Sequence, residues 1–104
     1  MNMEVVIVSR HESTIKLLKT VFSEAKVVSH VSDPSEIPSG SLVIGNLPIH
    51  LIDELINKRG CRFVLVSLEI PQELRGKELN EEELRKYMRL LEISKLELSE
   101  FIIS

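Results

Sequence analysis

The sequence predicts an α/β fold: a single small domain built on a mostly parallel sheet of four to five strands with three helices. Three observations predict it. Val5-Val6-Ile7-Val8 is a continuous apolar run of β-preferring residues that ends abruptly at Ser9-Arg10-His11. An amphipathic helical pattern follows it at once. The same succession then recurs, with Leu42-Val43-Ile44, a Gly45-Asn46 break, a second helical pattern and the run Arg62–Leu68. Continuous rather than alternating apolar runs are how strands covered on both faces read.

Taken in order, residues 5–8 form the first strand. Glu12 to Ala25 reads as helix, with Ile15, Leu18, Phe22 and Ala25 on one stripe, Val21 beside it, and Lys16, Lys19 and Glu24 off it. Ser13 or Thr14 is suited to cap its start, where Glu12 favours the positive end of the helix. Lys26–Val31 reads as a second strand ending in Ser29-His30. Residues 32–40 are rich in turn formers and short for a helical crossover, so a bare loop or a single turn is expected. That leaves the direction of strand 42–44 open. Pro48 suits the first position of the next helix, with Asn46 or Leu47 as cap and Gly60 ending it. After the strand at 62–68, residues 70–79 read as loop. Asn80 then caps a helix with Glu83 at the capping-box position, and Leu84, Tyr87, Met88 and Leu91 carry that helix to about Ile93. Lys95–Leu98 alternates as an edge strand would, with apolar Phe101-Ile102-Ile103 behind it.

The bulk properties bound the function. At 104 residues, 43% hydrophobic and 28% charged, the chain has the composition of one globular core. No apolar run approaches the ~18 residues of a membrane span. No basic region followed by an apolar block marks a secretory signal. A lone Cys61 fits a reducing cytoplasm. The net charge of −3 argues against a partner such as long nucleic acid. It arises wholly beyond residue 77, since residues 1–77 hold nine acidic and nine basic side chains. Three scattered histidines and one cysteine show no metal-ligand spacing, so neither metal nor cofactor is expected. No Walker loop or dinucleotide fingerprint is present.

The chemistry-bearing residues cluster at expected strand ends. Arg10 is a planar fork suited to phosphate, and His11 belongs to the residue type that titrates near neutrality. Ordinary turn residues would look the same in isolation. However, if the strands are parallel, Ser9-Arg10-His11, Gly45-Asn46 and Ser67 share one rim, the edge where α/β sheets bind ligands. Gly45 permits close backbone approach to a ligand, and the following helix start supplies amide donors. His50 lies in that helix's first turn. Arg75-Gly76-Lys77 reads equally as a basic loop closing over an anion or as a solvated turn. His30 and Cys61 carry no assigned role.

Val8-Ser9-Arg10-His11, the stretch Val43–Leu51 with Gly45-Asn46-Leu47-Pro48 at its centre, and Leu74-Arg75-Gly76-Lys77-Glu78-Leu79 resemble three signature blocks of one family. It is a small accessory family encoded with type III CRISPR systems, within the Csx group. The blocks stand in the same order at similar spacing, and the likeness covers nearly the whole chain. Two local departures are Glu12-Ser13-Thr14 where the family usually has Pro-Gly-Ala, and Asn46 where it usually has Thr. The resemblance implies a Rossmann-like domain and a ring nuclease that linearises a cyclic oligoadenylate messenger. The residues that fit this role are Arg10, His11 and Ser9 as catalytic residues, with Gly45, Asn46, Leu47, His50, Ser67, Arg75 and Lys77 binding substrate. The chemistry expected is metal-independent attack of a ribose 2′-hydroxyl on its neighbouring phosphorus. Arg10 would then hold phosphate, His11 act as general acid or base, Ser9 and Asn46 orient, and Arg75 and Lys77 close over the ring. A homodimer would match the symmetry of cyclic tetra-adenylate. The alternatives are a non-catalytic cyclic-nucleotide-binding module and a structural subunit that docks a larger CRISPR effector.

Overall fold

In the computed structural model, which describes residues 3–103, the strands are β1 (Val5–Val8), β2 (Lys26–Val28), β3 (Leu42–Gly45), β4 (Arg62–Leu68) and β5 (Met88–Ile93). The helices are α1 (Glu12–Val21), α2 (Ile49–Asn57) and α3 (Glu81–Tyr87), with single 3₁₀ turns at Pro34–Glu36 and Gln72–Leu74. The sheet order is β2-β1-β3-β4-β5, parallel throughout except for β5, which runs antiparallel to β4. The α/β class, the mostly parallel sheet and the three helices are those expected. No helix is long and apolar enough to cross a membrane among the described residues.

Alternate residues of the apolar runs enter the two faces of the sheet, so each run feeds two cores. Val6, Val8, Val43 and Phe63 meet Ile52 and Leu55 of α2, together with Val31 and Ile37. Ile7, Ile44 and Val66 meet Leu18 of α1 and Ala25 on the other face, where α3 also packs against α1. The direction of the strand at 42–44, left open by its short connection, is parallel. Its crossover is one turn, capped reciprocally by Asp33 and Glu36. The backbone N–H of Ser35, donating to Asp33, holds that carboxyl below its ordinary pKa.

Several boundaries differ from expectation for identifiable reasons. Helix α1 stops at Val21 rather than Ala25, because Lys19 Nζ donates to the carbonyls of Ser23 (3.0 Å) and Ala25 (2.9 Å), closing a turn there. Of the expected stripe, Leu18 and Ala25 are buried and Phe22 packs against the same core, with Thr14 and Leu17 buried beside it, while Val21 is 63% exposed. Neither Ser13 nor Thr14 caps it, since the N-cap is His11 with no side-chain cap bond. Strand β2 ends at Val28, three residues early. Pro48 is the N-cap of α2 rather than its first residue, displacing Asn46 and Leu47 from that role. Beyond α2, the left-handed Gly60 (φ +64°) lets Cys61 N–H reach back to Leu55 O at 2.9 Å.

The largest correction concerns residues 88–93. The capping box of Asn80 and Glu83 starts α3 as expected, but the helix ends at Tyr87 and the chain continues as β5. Leu84, Tyr87, Met88 and Leu91 satisfy a helical period, yet the open edge of β4 offers a full ladder from Leu68↔Met88 to Phe63↔Ile93. Two ion pairs join those strands and their ends: Arg62–Glu92 at 2.8 Å, with Nε and Nη2 each donating to one carboxylate oxygen, and Arg89–Glu69 at 3.3 Å. Tertiary pairing thus overrides local propensity. Arg62, by hydrogen bonding, keeps the Glu92 carboxyl below its ordinary pKa and is itself raised. Lys95–Leu98 is not a strand. Leu96 packs on the α2 core and its carbonyl accepts from Asn57 at 2.9 Å. Phe101, Ile102 and Ile103 are 87%, 83% and 89% exposed.

Candidate functional site

With β1, β3 and β4 parallel, Ser9, Asn46 and the end of β4 lie at the same rim of the sheet. The chain leaves β1 for β2 on one side, while β3 lies on the other, so the order reverses between β1 and β3. That reversal is the switch point at which open α/β sheets form their ligand crevice.

The exit from β1 is built by short-range bonds. Ser9 N–H continues the ladder to Val28 O at 3.0 Å, and His11 N–H donates to Ser9 Oγ at 3.1 Å, bending the strand towards the helix. His11 C=O accepts the first bond of α1, from Ile15 N–H at 2.9 Å. Arg10 is thereby held at the apex, and its Nε donates to Ser29 O at 3.3 Å. Among the described residues its guanidinium makes no ion pair, so its outer nitrogens remain available to an anion.

Two cavities flank this apex. The first, about 350 Å³, lies at the switch point between the exits of three strands: Val8 to His11, Ser29 to Val31 and Asn46 to Pro48. The second, about 480 Å³, lies on the face carrying α1 and α3. Its walls are Arg10 to Thr14, Leu68 at the end of β4, Ile70 beyond it, Lys77 to Leu79 of the following loop, and Leu84 of α3. Both volumes fall within the range of small-molecule sites. Arg10 and His11 line both, and so form the wall between them.

The expected site residues divide accordingly. Ser9, Arg10, His11, Asn46 and Leu47 come together around the first cavity, and Lys77 joins Arg10 and His11 at the second. Asn46 is partly committed, since its Nδ2 donates to Val66 O at 3.1 Å and ties β3 to β4. His50, Ser67 and Arg75 line neither cavity. Gly45 is buried and serves strand contact rather than ligand approach: at φ +151°, a Cβ there would strike the Val8 carbonyl oxygen. Ser29 and His30, given no role from sequence, line the first cavity. Their signal was present, because Ser29-His30 leaves β2 as Ser9-Arg10-His11 leaves β1. Among the described residues, no three His, Cys, Asp or Glu side chains converge as a metal site would require.

Residues 6–96 match the family described as "Putative CRISPR-associated protein (Cas_VVA1548)". The chain belongs to this CRISPR-associated family. No curated protein and no solved structure matches it. The region shared with the Cas_VVA1548 family contains every residue lining the two cavities, whereas the exposed Phe101–Ile103 lies beyond it.

Proposed function

We propose that this CRISPR-associated protein is a ring nuclease of type III systems, cleaving cyclic oligoadenylate, with cyclic tetra-adenylate the preferred ring. The observation that carries the reading is the convergence of Arg10, His11 and His30 on one cavity at the switch point of the sheet. A phosphodiester seated on Arg10 has its added charge in the transition state stabilised by the guanidinium fork. The attacking group is the 2′-hydroxyl of the adjoining ribose. Its oxygen bonds to phosphorus as the 5′-oxygen leaves, giving a 2′,3′-cyclic phosphate and a new 5′-hydroxyl.

In-line geometry puts the attacking and leaving oxygens on opposite sides of phosphorus, so two groups are needed for the two protons. His11 and His30 supply two imidazoles to the same cavity, one to accept the 2′-hydroxyl proton and one to donate to the departing 5′-oxygen. Ser9 and Asn46 orient the ribose, and no metal takes part. A two-fold pair of chains would present two such rims to a symmetric ring. Incubation with cyclic tetra-adenylate in EDTA, followed by chromatography, tests the reading. Linear product is expected, and an intact ring despite measured binding overturns it.

The exposed Phe101-Ile102-Ile103 favours a second reading, in which the chain docks a larger CRISPR effector through its C-terminal residues. Failure of cyclic tetra-adenylate to bind at all would select that alternative. Binding without linear product would select a sequestering module.

A further inference from the structure

We infer that the second cavity is a purine-nucleoside lobe, holding the base of a nucleotide whose phosphate rests on the Arg10–His11 wall. The inference rests on the ring-nuclease reading for the identity of the natural ligand, but its own observations are independent of cleavage. Leu68, Ile70, Leu79 and Leu84, from β4, the following loops and α3, give the cavity apolar side chains on several sides. A flat apolar ring gains most from such walls, by removing area from water and by dispersion contact. The basic side chains are not spread evenly. Arg10 and His11 stand at the boundary with the first cavity, and Lys77 enters from the loop. Glu12 and Glu78 also line the space and repel a phosphate placed at its centre. Charge therefore directs the phosphate to the Arg10–His11 wall and the uncharged base inward, where a carboxylate can accept from an exocyclic amine such as that of adenine.

The arrangement also fits the requirements of cleavage. A scissile phosphodiester has a nucleoside on each side, and the wall formed by Arg10 and His11 has a cavity on each side. The first cavity is lined by Ser9, Ser29, His30 and Asn46 and suits ribose and proton transfer. The second carries both carboxylates, Glu12 and Glu78, where the first has none, and so suits the uncharged base.

Titration of the ¹⁵N-labelled protein with adenosine 5′-monophosphate tests the lobe. Saturable shifts are expected at the amides of Leu68, Ile70, Leu79 and Leu84, and Leu79→Trp should raise the midpoint at least tenfold. Because Leu79→Trp also changes the packing of its loop, Leu68→Asp at a 42%-exposed position provides a second variant with the same expected loss. Shifts confined to Ser29, His30 and Leu47, or no saturable shifts, overturn the inference. So does an equal response to inorganic phosphate alone, which would make the cavity an anion site. Cleavage of cyclic tetra-adenylate by the wild-type chain is scored separately. Ring cleavage with no monophosphate shifts in the second cavity removes the lobe and leaves the nuclease. Shifts there with an intact ring retain the lobe and remove the nuclease.

Discussion

Replacing Gly45 by alanine perturbs the rim at a point where the structure permits a magnitude. Gly45 pairs with Val8 across β1 and β3, one residue before Ser9, and has φ +151°. An added Cβ meets the Val8 carbonyl oxygen, with Val8 C and Cβ each at 3.2 Å. The backbone strain of a side chain at such a φ is about 1–3 kcal/mol, and forcing atoms into a filled site costs about 1–3 kcal/mol more. The expected loss is on the order of 4 kcal/mol, which lowers Tm by roughly 20 °C in a domain of this size. Gly40→Ala is the control, with φ +77° and nothing within 4 Å of the added carbon. It carries conformational strain alone, about 1–2 kcal/mol. Thermal melts followed by circular dichroism compare the two. Equal losses would refute the close approach of β3 to β1 and with it the assignment of Gly45 to strand contact.

The other predictions concern chemistry and local stability. Arg10→Ala and His11→Ala should each slow cleavage of cyclic tetra-adenylate at least tenfold, about 1.4 kcal/mol of barrier, in single-turnover assays. A smaller loss would move the chemistry away from the β1 exit. Asn80→Ala removes the cap bond to Glu83 N–H and should cost about 1 kcal/mol in urea unfolding. Glu92 titrates below its ordinary value of 4.5 because Arg62 donates to it. Its contribution to stability is therefore present above that value and lost as pH falls through the lowered one. Glu92→Gln should remove part of the acid-side fall in Tm, and an unchanged profile would contradict the pairing. Replacing Phe101, Ile102 and Ile103 by serine should leave ring cleavage unchanged if the nuclease reading holds, because those side chains lie outside both cavities.

The legible parts of the molecule are those whose cause is local. Val5–Val8, Leu42–Gly45 and Arg62–Leu68 announce buried parallel strands by unbroken apolar runs, and Asn80 with Glu83 announces a helix start. The polar exit Ser9-Arg10-His11 likewise announces its place on the rim, because it ends an unbroken apolar run. What escaped reading depends on partners distant in sequence. Met88–Ile93 continues a helical period, and only the free edge of β4 and the pairs Arg62–Glu92 and Arg89–Glu69 decide for strand. Thr14 resembles a cap, but His11 is the N-cap and Thr14 falls inside the first turn, buried beside the second cavity. The second cavity gathers residues 10–14, 68, 70, 77–79 and 84, a set no spacing rule brings together.

The most direct measurement is ³¹P NMR of cyclic tetra-adenylate during incubation with the protein in EDTA. The account predicts loss of the ring resonance and growth of a 2′,3′-cyclic phosphate signal, both abolished in Arg10→Ala. A ring resonance that persists unchanged while calorimetry shows the ring bound would contradict it.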